Sequence, residues 1–130
     1  MGGGTPDGGQ SLPRARRLTR GSEIRAVFKR GKRSGTAHLD VFDSPSPLSR
    51  LRVGVVVPRY GHAAVARNLV KRRLREVLRR DLLPRLLAAG VSLDLIVRAR
   101  REAYDADYGE LREELNQLAE RRWLRGASSS

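Results

Sequence analysis

Arg67-Asn68-Leu69-Val70-Lys71-Arg72-Arg73-Leu74-Arg75-Glu76-Val77-Leu78-Arg79 lies between two apolar runs, residues 51–57 and 93–97. Wound at about 100° per residue from Arg67, it puts Val70, Leu74, Val77 and Leu78 between about 280° and 20°, one apolar stripe that must face other structure. Arg67, Asn68, Lys71, Arg72, Arg75 and Arg79 span about 0° to 140°, a contiguous basic face beside it. The stretch is therefore an amphipathic helix, read from residue 63 to about 80. Residues 81–89 extend it or start another, with Pro84 at a kink or in a first turn, and Gly90 stops it. A strand, a crossover helix and a further strand make a layered α/β arrangement, with the helix packed on a small sheet.

Upstream, Ile24, Val27 and Phe28 recur at i, i+3, i+4 and predict a short helix over residues 22–30, with an N-cap among residues 19–22 and Gly31 as a left-handed C-terminal cap. Residues 36–42 and 51–57 read as strands joined in hairpin-like fashion through the turn-rich Asp43-Ser-Pro-Ser-Pro47. In the first of them Leu39 and Val41 share one face, and His38, Asp40 and Phe42 the other. Downstream, the apolar run 93–97 reads as a strand inside the sheet. Residues 106–123 read as a helix whose Tyr108, Leu111, Leu115 and Leu118 form its buried stripe. The expected fold is α/β (α+β), a small single-domain two-layer sandwich in the order α-β-β-α-β-α. Residues 14–124 form the domain, between a disordered Gly-rich arm at 1–13 and a disordered tail at 125–130.

The 130 residues allow one domain. With 27 Lys+Arg against 14 Asp+Glu the formal charge is +13, and residues 14–101 alone reach +17, because the acids concentrate in the last helix. Such a field points to a polyanion, first of all nucleic acid. Absence of cysteine removes thiol catalysis and disulfides. No apolar run approaches membrane-spanning length and no basic-then-apolar signal opens the chain, so no membrane is expected and the expected location is cytoplasmic.

His38 and His62 are the only histidines, and neither a zincin helix, a phosphate-cradling loop nor a nucleophile elbow occurs, so no catalytic residue and no protein metal site is expected. The acids of the last helix read as a solvated face rather than a Mg²⁺ site. The basic face differs from a solvated one, which normally interleaves acids at i, i+4. Here Glu76 is the only acid in the helix before Asp81. A phosphate ligand that neutralises these cations is the economical explanation.

The pattern Arg67-Asn68-x-x-Lys71-Arg72-x-x-Arg75-Glu76, preceded by Arg52-Val53-Gly54-Val55-Val56-Val57 and Gly61, resembles the protein component of bacterial ribonuclease P. Leu18…Val27-Phe28-Lys29-x-Gly31 and Ile96-Val97-x-Ala99-Arg100 extend the resemblance over roughly residues 14–124. It implies a left-handed β-α-β crossover, against the usual preference. It also implies a subunit that assists a catalytic RNA in removing the 5′ leader of precursor tRNA, in a 1:1 protein–RNA complex. Mg²⁺ would be held mainly by the RNA and none by the protein alone.

By the same resemblance Arg67, Asn68, Lys71, Arg72 and Arg75 contact the catalytic RNA, with Arg79 continuing their face. Ile24, Phe28, Phe42 and Arg59 line a leader-binding cleft between the first helix and the sheet. Phe28 also fits a core role, since its helical neighbours are apolar, whereas Phe42 on the polar strand face is the stronger base-stacking candidate. The chain departs from the family pattern at Ile24, where an aromatic is common, at Pro58, which replaces a hydroxyl residue, and at Leu69, which replaces a cation. The alternative is a ribosomal-type structural RNA-binding protein without a catalytic role, which gives no reason for an aromatic cleft. A duplex-DNA regulator is weakened because no helix-turn-helix pair precedes a recognition helix.

Overall fold

The computed structural model describes residues 12–124; the expected arm at 1–11 and tail at 125–130 lie outside the described residues. Its elements are α1 (Gly21–Arg30), β1 (Lys32–Gly35), β2 (Leu39–Pro45), β3 (Arg52–Val56), α2 (Ala64–Val77), α3 (Leu83–Ala88), β4 (Leu93–Ala99) and α4 (Tyr108–Arg122). A π-helical segment, Leu78–Leu82, joins α2 to α3 without a break, and 3-10 turns cover Arg14–Arg16 and Arg101–Asp105. This is the expected small α+β domain, but the order α-β-β-α-β-α is corrected by one more strand, β1, which forms by pairing with β2.

The sheet order is β1-β2-β4-β3, with β1/β2 and β2/β4 antiparallel and β3/β4 parallel. The hairpin expected between residues 36–42 and 51–57 is therefore corrected: β4 inserts between β2 and β3. Leu95, Ile96 and Val97 are fully buried, and so apolar a strand belongs where both edges and both faces are covered. The actual hairpin is β1–β2, closed by Thr36 N–H donating to Leu39 O at 2.8 Å.

Strand alternation divides the interior in two. Leu39, Val41, Val53, Leu95 and Val97 face the main core, against Val70, Leu74 and Val77 of α2 and Leu111, Leu115 and Leu118 of α4. The other sheet face presents Phe42 and Ile96 to Val27, Ile24 and Phe28 of α1, together with Leu18. The two-layer sandwich of sheet and α2–α4 thus carries α1 on its second face. Leu12, expected in the arm, is 5 % exposed and belongs to the main core, so the ordered chain starts earlier than residue 14.

Local chemistry sets the element ends, and one of them differs from expectation. Gly31 is extended (φ −73°), not left-handed; a Cβ there would lie 2.5 Å from Val27 O and 2.9 Å from Asp43 O, so close backbone approach demands the glycine. The N-cap of α1 is Arg20, with no side-chain cap. Pro84 sits in the first turn of α3, and because it lacks an N–H and crowds the preceding turn, the helix widens: Leu83 N–H reaches back to Leu78 O. Gly90, at φ +72°, ends the run. Asp107 starts α4 with a capping box, its carboxylate accepting from Glu110 N–H at 2.8 Å.

Candidate nucleic-acid interface

The apolar stripe of α2 is buried, which turns the basic face outward. Asn68, Arg72 and Arg75 are exposed, and Arg67 and Lys71 half-buried. Arg67 Nε donates to Val57 O at 2.7 Å, which braces its guanidinium against the end of β3. Lys71 is held below the ordinary lysine range by burial first, then by the neighbouring cations Arg67 and Arg75. Arg79 departs from this group. Its Nη2 donates to Glu76 Oε1 at 2.7 Å, Arg80 also approaches Glu76 at 3.8 Å, and Arg79 Nε is buried without a partner among the described residues. The lone acid of the helix thus neutralises the end of the basic row, leaving Arg67, Lys71 and Arg75 without a carboxylate among the described residues. Beside Asn68 and Arg72 the surface is apolar, with Val65 81 % and Leu69 46 % exposed.

Across the β3 edge a groove of about 300 Å³ runs between Lys71 and Arg75 on one wall and Arg17, Thr19 and Ile24 on the other, with Gly54 at its floor. Ile24 and the basic row therefore share one channel. Gly54 has no freedom to be larger, since a Cβ would lie 2.7 Å from Leu18 O. Arg17, which sequence reasoning passed over, bridges to Val53 along this edge.

The aromatic assignments exchange roles. Phe42 is 6 % exposed, and Phe28, half-buried, packs edge-to-face on it with centroids 4.8 Å apart. Phe42 as the stacking surface is therefore corrected: α1 covers it, and Phe28 is the ring that keeps access to solvent. Arg98 lies over both rings, 5.3 Å from Phe28 and 4.9 Å from Phe42, and is steadied by Asp40 at 3.3 Å. Arg98 was missed although period two puts it on the Ile96 face of β4. Asp40 also takes Arg33 at 2.9 Å. Burial alone would raise its carboxyl, but the bonds from Arg33 and Arg98 outweigh that and hold it below the usual range. Arg59 is exposed on the turn after β3, and among the described residues its side chain makes no hydrogen bond or ion pair; it is not brought into contact with Phe28.

The family model described as Ribonuclease P matches residues 12–122. The chain belongs to the ribonuclease P family. It is 40 % identical over 126 residues to the ribonuclease P protein component of Desulfovibrio desulfuricans, covering 91 % of this chain and 92 % of that protein. To that of Acidothermus cellulolyticus it is 35 % identical, covering 82 % and 88 %. The ribonuclease P protein of Thermotoga maritima superposes with a TM-score of 0.68 at 27 % identity, over 81 % of this chain and 96 % of that one. Family membership makes this chain an auxiliary protein subunit of a tRNA-processing endoribonuclease and removes support from the ribosomal-type reading.

Proposed function

We propose that this ribonuclease P protein docks on the catalytic RNA through Arg67, Asn68, Lys71, Arg72 and Arg75, and carries the single-stranded 5′ leader of precursor tRNA over Phe28 and Ile24. The observation that carries the reading is the row Arg67, Lys71, Arg75, three cations with a suppressed lysine and no carboxylate partner among the described residues, of which Lys71 and Arg75 line the groove that contains Ile24. Phosphates supply the missing counter-charge, with salt-dependent affinity. Phe28, with Arg98 above it, offers a sequence-tolerant stacking surface. Arg59, exposed on the turn after β3, is the further cation offered to leader phosphate.

The complex is 1:1 and cytoplasmic; no helix among the described residues is long and apolar enough to cross a membrane. Mg²⁺ is held mainly by the RNA. The protein face offers guanidinium, ammonium and amide groups, and Glu76, its one carboxylate, is taken by Arg79 and Arg80. That donor set does not suit a hard cation, so the protein's part is to neutralise phosphate around it. Reconstitution with the cognate ribonuclease P RNA at low Mg²⁺ should accelerate leader removal. No stimulation would overturn the proposal.

A further inference from the structure

The turn between β3 and α2 meets the 3-10 turn Arg101–Asp105 in an aromatic cluster that neither the basic row nor the Phe28 surface uses. His62 lies flat on Tyr104, with ring centroids 3.8 Å apart and planes 7° apart. Tyr60 meets Tyr104 edge-to-face at 6.3 Å. Both tyrosines are anchored: Tyr60 Oη donates to Ala99 O at 3.0 Å, and Tyr104 Oη to Pro58 O at 2.7 Å. The backbone is fixed as well, with Tyr60 at φ +50°, Gly61 at φ +85° and His62 N–H donating to Arg59 O at 2.8 Å. A tyrosine in the left-handed region persists only where its surroundings over-determine it.

All this rigidity supports a histidine that is exposed. Tyr104 covers one face of the imidazole, and among the described residues no other ring stacks on it. The same two turns carry exposed cations: Arg59, whose carbonyl accepts from His62 N–H, and Arg101, which stands 4.9 Å over the Tyr60 ring. Of the acids in the turn, Glu102 reaches Arg100 at 4.0 Å, and Asp105 closes the turn, exposed. A pre-fixed ring with exposed guanidinium groups on the same turns is the composition that binds single-stranded nucleic acid, the base stacking on the ring and the cations taking its phosphates.

We propose that His62, backed by Tyr104, stacks one unpaired RNA nucleobase, with Arg59 and Arg101 on the adjoining phosphates. The site is additional to Phe28. It rests on the ribonuclease P reading, and the same chemistry fits a nucleotide of the catalytic RNA or of the leader.

The test uses the full chain as wild type, His62→Ala and His62→Phe, with thermal melts confirming the fold. One arm measures binding to the cognate ribonuclease P RNA without substrate. The other measures binding of precursor tRNA, with long and one-nucleotide leaders, to the assembled holoenzyme. His62→Ala should weaken binding about fivefold or more, the scale of one lost base stack, and His62→Phe should restore it to within about twofold. Loss in the first arm assigns the base to the catalytic RNA; loss confined to the long leader assigns it to the substrate. If His62→Ala matches wild type in both arms, or His62→Phe is as weak as His62→Ala, the stacking site is overturned while the family reading stands. A wild-type chain that binds neither RNA overturns both.

Discussion

Arg52 and Asp94 are register partners on the parallel strands β3 and β4, joined by a two-armed ion pair at 2.9 Å (Nε–Oδ1) and 2.8 Å (Nη2–Oδ2). Both side chains are 6 % exposed, and Arg52 Nη1 donates to Glu23 Oε2 of α1 at 3.0 Å. One guanidinium thus fastens two strands and the helix that carries Phe28. Asp94→Ala strands that buried cation with half its partners and should cost about 3–5 kcal/mol, read by chemical denaturation. The double replacement Arg52→Met with Asp94→Leu should recover most of the loss. A single-variant cost near zero would show that the pair is not desolvated.

Phe28 and Phe42 touch, yet their truncations should separate. Phe42→Ala empties a covered site and should cost about 3–5 kcal/mol of stability. Phe28→Ala should cost less stability and should weaken precursor-tRNA binding to the holoenzyme by about 1–3 kcal/mol, with catalytic-RNA binding unchanged. Equal stability losses and unchanged substrate affinity would make both rings core.

What could be read beforehand follows from where the information resides. The α2 stripe and the β4 run are local signals of period and apolarity, and both elements stand where expected. β1, Lys-Arg-Ser-Gly, has no such signal, because its strand conformation comes from pairing with β2 at the sheet edge. The insertion of β4 between β2 and β3 is likewise a choice among non-local pairings that neither strand encodes alone. Period two assigned Phe42 to its face correctly but could not show that α1 and Arg98 cover it. The capture of Arg79 by Glu76 was legible, being an i, i+3 pair. The His62–Tyr104 stack was not, since it joins turns 42 residues apart in sequence.

Asp40 gives the fold an acid-sensitive point. Its carboxyl is held below the ordinary range by Arg33 and Arg98, although burial opposes them. The stability it contributes is therefore fully present above the unfolded carboxyl value of about 3.9 and is lost as pH falls through the lower folded value. Asp40→Asn should be less stable than wild type by about 1–2 kcal/mol at pH 7, and the gap should close below about pH 4. Thermal melts of both proteins across that range decide it. A gap independent of pH would locate the effect in packing rather than charge.

Lys71 should trade stability for binding. Burial, then Arg67 and Arg75, lower its affinity for the proton, so at neutral pH the charged form opposes folding in the free protein. That opposition is present below the folded value and disappears as pH rises towards the unfolded one. Lys71→Met removes the charge and keeps the stem, and should stabilise the free protein by about a few tenths of a kcal/mol. On RNA the sign reverses, because phosphate supplies the counter-charge that the helix lacks. The same variant should bind the catalytic RNA more weakly, and its slope of log affinity against log salt should be smaller by about 0.7–0.9, one phosphate contact. Lys29→Met, at the exposed end of α1, serves as the control for loss of a positive charge alone. An unchanged slope in Lys71→Met would mean that Lys71 faces no phosphate, and the row would then be a cost to folding that RNA does not relieve.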